Sequence, residues 1–129
     1  MLGSLLERSL RSDGILTVES TVLDGGLDGR LLPFHGLFIE VASEMCSRSR
    51  EEDGCGGYRV YADLEQPDHY VFVEEWADDD ALQRHFVQAH TGAFMGDLRG
   101  LLAEPADVVF HTTASARRLV PGRGLVDVD

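Results

Sequence analysis

The chain has 129 residues, enough for one domain that buries about two-thirds of its unfolded surface without disulfides or a structural metal. A formal charge of −12 argues against nucleic acid and anionic membrane surfaces as partners. Lysine and asparagine are both absent, which excludes Schiff-base chemistry and a P-loop lysine.

In chain order, residues 1–13 read either as a short amphipathic N-terminal arm, with Leu2, Leu5, Leu6 and Leu10 on one side, or as a frayed terminus. Glu7, Arg8 and Arg11 break the apolar run that a signal peptide needs. Ile15 to Leu23 alternates and is rich in β-branched residues, which predicts a strand. Asp24 to Arg30 is a glycine- and aspartate-rich turn. A helix follows from Leu32 to Arg50: Pro33 suits its first turn, and Phe34, Leu37, Phe38, Val41, Ala42, Met45 and Cys46 form an apolar stripe. Asp53-Gly54 stops it.

Tyr58 to Ala62 and His69 to Trp76 read as two strands, close enough in sequence to pair antiparallel. Asp78 to Asp80 open a helix, as a cap and as negative charge at a helix N-terminus, with Leu82, His85, Phe86 and Ala89 facing inward. Thr91 reads as a second cap, for a helix with Phe94, Met95, Leu98, Leu101 and Leu102 inward. Asp107 to Thr113 is the last strand, and the tail from Arg118 is an extension. Strand, helix, two strands, helix pair, strand is an α+β order: a ferredoxin-like antiparallel sheet with helices on one face.

The chemistry-bearing stretch is Val73-Glu74-Glu75-Trp76, followed by His85 and then His90. Alternation places Phe72, Glu74 and Trp76 on one face of their strand and Val71, Val73 and Glu75 on the other. The next helix must fold back over that sheet, setting His85 above Glu74 and Trp76. Each residue also has a plain structural reading. Trp76 is the largest core side chain, Glu74 an acceptor for a helix terminus or for Trp76, and His85 a satisfied core histidine. His90 braces a helix junction. Tyr58 either lends its phenol to the pocket or fills an ordinary strand position. His85 and His90 are five apart, whereas zinc ligands on one continuous helix stand four apart, so no metal site is expected. Cys46 and Cys55 lack CxxC spacing and read as reduced thiols. No GxGxxG or Walker pattern is present.

Asp53-Gly54-Cys55-Gly56-Gly57-Tyr58, then Glu74-Glu75-Trp76, then His85 and His90 resemble the signature of the antibiotic biosynthesis monooxygenase family. The resemblance spans residues 14–115, leaving an arm at 1–13 and a C-terminal extension at 116–129. It implies a dimeric α+β barrel, with a pocket between sheet and helices in each protomer. It also implies oxygenation of quinols or polyketide-type phenols by molecular oxygen, without metal or flavin. On that reading His85 is the general base, Glu74 orients it, and Trp76 with Phe72 stacks on a small aromatic substrate. Tyr58, Phe86 and His90 complete the binding residues. The expected setting is a cytoplasmic homodimer with no cofactor.

Three departures narrow this. Some haem-degrading and anthrone-oxidising relatives use a pocket asparagine that this chain lacks, which disfavours haem degradation. The approach from Asp24 to Pro33 is longer than the family's usual turn. The arm and the tail lie outside the resemblance. Two alternatives stay open: an isomerase of a phosphorylated signalling sugar, against which Trp76 weighs, and a non-catalytic dimeric ligand-binding module.

Overall fold

The computed structural model describes residues 13–24 and 32–128. The arm expected at residues 1–13 and the turn expected at 24–30 fall, but for Asp13 and Asp24, outside those residues. The elements are β1 (Gly14–Val22), α1 (Leu32–Arg50), β2 (Cys55–Ala62), β3 (His69–Trp76), α2 (Asp79–Phe86), α3 (Ala89–Arg99), β4 (Asp107–Thr113), β5 (Arg117–Val120) and β6 (Gly124–Asp127). Strands β1 to β4 form one antiparallel sheet in the order β2-β3-β1-β4, the ferredoxin-like arrangement.

Register decides what faces the helices. Ile15 lies opposite Trp76, Thr17 opposite Glu74, and Glu19 opposite Phe72. Tyr58 on β2 also lies opposite Glu74. All seven side chains are buried, so the alternation expected for Phe72, Glu74 and Trp76 holds. Helix α1 lays Phe38, Ala42, Met45 and Cys46 onto this face, and α3 adds Phe94 and Leu98. Leu37 and Met95, expected inward, are 48% and 43% exposed, because α1 and α3 each bury a stripe narrower than their apolar runs.

The outer face carries Leu16, Val18, Tyr61, Val71, Val73 and Val109, with Val18 flanked by Val73 and Val109 in register. Tyr61 and Val109 are exposed, and the helix-borne core residues among the described residues pack on the opposite face. The tail is more ordered in type than expected. Arg117–Val120 and Gly124–Asp127 pair as a hairpin, closed by a turn in which Gly122 and Gly124 take positive φ. Among the described residues no helix is long and apolar enough to cross a membrane.

Candidate active site

The site grows from three local decisions. The first is the end of α1. After Arg50 the chain tightens through Glu51 and Glu52, whose amides bond back to Arg48 and Ser49. It then reverses at Gly54, where φ is +84° and a Cβ would stand 2.5 Å from that of Ala81. Glycine there lets the end of α1 lie directly against α2, which brings Glu52 beside that helix.

The second is the start of α2. Asp78 caps it, its carboxylate accepting from the Ala81 amide at 2.9 Å, and Asp79 and Asp80 follow in the first turn. The expected cap is therefore present. It fixes the phase of the helix so that Ala81, Leu82 and His85 face inward.

The third is a break between the helices. α2 ends at Phe86, and α3 begins at Ala89 after Gln88, which makes no side-chain cap bond. Thr91 is thus not a cap. It lies buried in the first turn of α3, its hydroxyl 3.4 Å from His85 Nδ1. On one continuous helix His85 and His90 would point about 140° apart. The break removes that constraint and turns both imidazoles onto Glu52.

The result is a bifurcated contact, largely out of solvent. His85 Nδ1 is 2.8 Å and His90 Nε2 2.9 Å from the same oxygen, Glu52 Oε2. A carboxylate accepts, so both nitrogens donate, which leaves the lone pair of His85 on Nε2. The Glu52 side chain is only 9% exposed, and its other oxygen, Oε1, is buried without a hydrogen-bond partner among the described residues. A bare buried acceptor costs about 1–3 kcal/mol. Burial pushes the His85 pKa below the ordinary imidazole value, and Glu52 pushes it back up only in part. His85 is therefore neutral at neutral pH, the form that accepts a proton.

The His85 ring packs on Trp76 with centroids 4.6 Å apart at 37°, and on Tyr58 at 5.6 Å. The expected pairing of Glu74 with His85 is not made. Trp76 Nε1 donates to Glu74 Oε1 at 3.0 Å, and the carboxylate that orients His85 is Glu52. Burial lifts Glu74 to a pKa of about 7 despite its bonds from Trp76 and Tyr58. Glu19, on the same sheet face, is also lifted to about 7 by burial. Thr17, directly across from Glu74, has a buried hydroxyl with no partner among the described residues.

The remaining expected residues divide. Phe72 is fully buried among Phe38, Tyr58 and Phe94. Phe86 is 47% exposed and meets Phe110 of β4 edge-on at 5.9 Å, forming an aromatic rim next to His85. Burial pushes the Cys46 thiol up to about 11 and that of Cys55 up to about 12, so neither supplies a thiolate nucleophile.

Glu19 and Glu52, and with them Thr17 and Phe110, escaped the sequence reading. Glu19 was within reach, because the alternation Ile15, Thr17, Glu19, Thr21 already turned it inward. Glu52 had no local signal, since its partners stand 33 and 38 residues away.

The model of the antibiotic biosynthesis monooxygenase family matches residues 34–97. The chain is 31% identical over 72 residues to "Putative monooxygenase YcnE" of Bacillus subtilis strain 168, covering 56% of this chain and 76% of that one. It is 30% identical over 82 residues to "Uncharacterized protein sll1783" of Synechocystis, where the match covers 64% of this chain and 56% of that relative. A crystal structure from Deinococcus radiodurans shares the fold, with a TM-score of 0.72 at 18% identity over 82% of this chain and 98% of that one.

Proposed function

This chain belongs to the antibiotic biosynthesis monooxygenase family, and from that membership and its site we propose that it oxidises a quinol or polyketide-type phenol with molecular oxygen, His85 acting as general base. The observation that carries the reading is the buried Glu52–His85 pair lying against Trp76. Dioxygen reacts slowly with closed-shell molecules but takes electrons from a phenolate. The protein's task is then to remove a proton and to shield the anion from water. Glu52 fixes the tautomer in which Nε2 accepts, and it stabilises the imidazolium that forms, as a carboxylate does for histidine in hydrolytic triads. For an anthrone-type carbon, one oxygen atom enters as a carbonyl and the other leaves as water with the two displaced hydrogens.

Trp76 and Tyr58 supply aromatic surface around the base, and the Phe86–Phe110 rim marks the approach to it. The Thr17 hydroxyl, without a partner among the described residues, and Glu74 when it carries its proton offer hydrogen bonds to a substrate oxygen. Phe72 supports Tyr58 from behind, and His90 holds Glu52 in place. We assign the outer sheet face to a second copy of the chain, giving a homodimer, and place the protein in the cytoplasm.

An oxygen electrode with a panel of hydroquinones and anthrones tests the activity. His85→Ala should lower turnover by roughly 10²–10⁴-fold, the span of general-base removal. Full activity in that variant overturns the assignment. Silence toward every phenol, with aldose–ketose interconversion or simple ligand binding instead, replaces the oxygenase reading by an isomerase or a binding module.

A further inference from the structure

We propose that Glu52, His85 and His90 form a binding site for one divalent first-row transition ion of the zinc type. Three donor atoms, one from each residue, lie within 4.8 Å of one another. Two imidazole nitrogens and one carboxylate oxygen are a borderline donor set, suited to zinc, cobalt or nickel and poor for the all-oxygen cations magnesium and calcium. The spacing argument against a metal assumed one continuous helix. The break at Val87 and Gln88 removes that premise, since the two histidines come from separate helices and the carboxylate from a third element.

The carboxylate itself supplies the second observation. Both imidazole contacts fall on Oε2, while Oε1 is buried without a partner among the described residues, on a side chain nine-tenths out of solvent. An ion among the three donors would satisfy that carboxylate with the charge it lacks. Access exists as well: a surface cleft of about 370 Å³ reaches Glu52 and His90. Its wall carries Glu51 and Asp53 against Arg48 and Arg84, and Arg48 is already held by Glu44 at 3.0 Å. Three protein ligands leave a coordination position for water or a small anion from that cleft.

Occupancy has a chemical consequence, which rests on the oxygenase reading above. With Nδ1 of His85 on the ion, the neutral ring carries its proton on Nε2 and can no longer accept one. Metal binding and proton abstraction at His85 then exclude each other.

The test reads binding without turnover, so it is decided separately from the activity. Chelator-stripped full-length protein is titrated with Zn²⁺ against a chromophoric competitor, and with Co²⁺ while visible ligand-field absorption is followed. One ion per chain is expected. Glu52→Gln and His90→Ala should each weaken binding by at least about ten-fold, the lower range for disturbing a metal site, while His35→Ala, at a histidine facing Asp68, leaves it unchanged. Should either variant fold poorly, imidazole ¹⁵N NMR of the wild-type chain decides. Zn²⁺ should shift His85 Nδ1 and His90 Nε2, and leave His35, His69 and His111 in place. Absence of stoichiometric binding, or shifts at the other histidines instead, overturns the site.

Discussion

Replacing Glu19 by glutamine should stabilise the protein, and more so the higher the pH. Glu19 is 5% exposed on the inner face of β1, and burial alone raises its pKa from 4.5 to about 7. The sign follows from proton counting. Between those values the folded chain keeps the proton and the unfolded chain has lost it, so stability falls as pH rises. Below about 4.5 both states are protonated and there is no penalty. Above about 7 the folded state bears the full cost of a buried charge. Linkage with these values places roughly 2–3 kcal/mol more of the penalty near pH 8.5 than near pH 5. Glutamine does not titrate, so Glu19→Gln removes that slope. It also removes the charge that helps to raise Glu74, a gain of the same sign. Urea denaturation of wild type and variant at the two pH values measures the difference. An equal change in stability at both would refute the reasoning, since Glu19 would then be charged or solvated in the folded state.

Glu52→Ala should destabilise by about 2–4 kcal/mol, because it strands two imidazole donors at once, the buried one of His85 and the half-buried one of His90; chemical denaturation measures it. Trp76→Phe should cost about 1–2 kcal/mol and push the Glu74 pKa still higher, since the indole N–H bond is the strongest influence that lowers it, as carboxyl NMR titration would show. Light scattering at micromolar concentration should give twice the chain mass, because the outer stripe of Leu16, Val18, Val71 and Val73 gains roughly 25 cal/mol for each Å² it buries; a monomer there ends the dimer assignment. With a working substrate, saturating Zn²⁺ should suppress turnover and a chelator should restore it. Undiminished turnover would show that the ion leaves the base free.

Much of the fold was written in short-range pattern. The bounds of α1, β3 and β4, the Asp78 cap and the inward set Phe72, Glu74 and Trp76 all follow from periodicities and capping rules that act within a few residues. The family could be read the same way, from the order and spacing of a few residue types. The hairpin of β5 and β6 was missed because four-residue strands carry too little alternation to register, although Pro121-Gly122 marked their turn.

The wiring of the site was a different matter. Which carboxylate meets His85 depends on where the end of α1 lands after the reversal at Gly54, and on a helix break that no capping side chain announces. Sequence proximity to the sheet favoured Glu74, but in the fold that carboxylate is taken by the indole beside it, two residues along the same strand. Glu52 reaches both histidines only once α1, α2 and α3 have packed. Side-chain periodicity tells a residue which way to face, and hydrogen-bond partners are then chosen by whatever the closed chain brings within 3 Å. For this protein the first was legible in the sequence, and the second was decided by the tertiary structure.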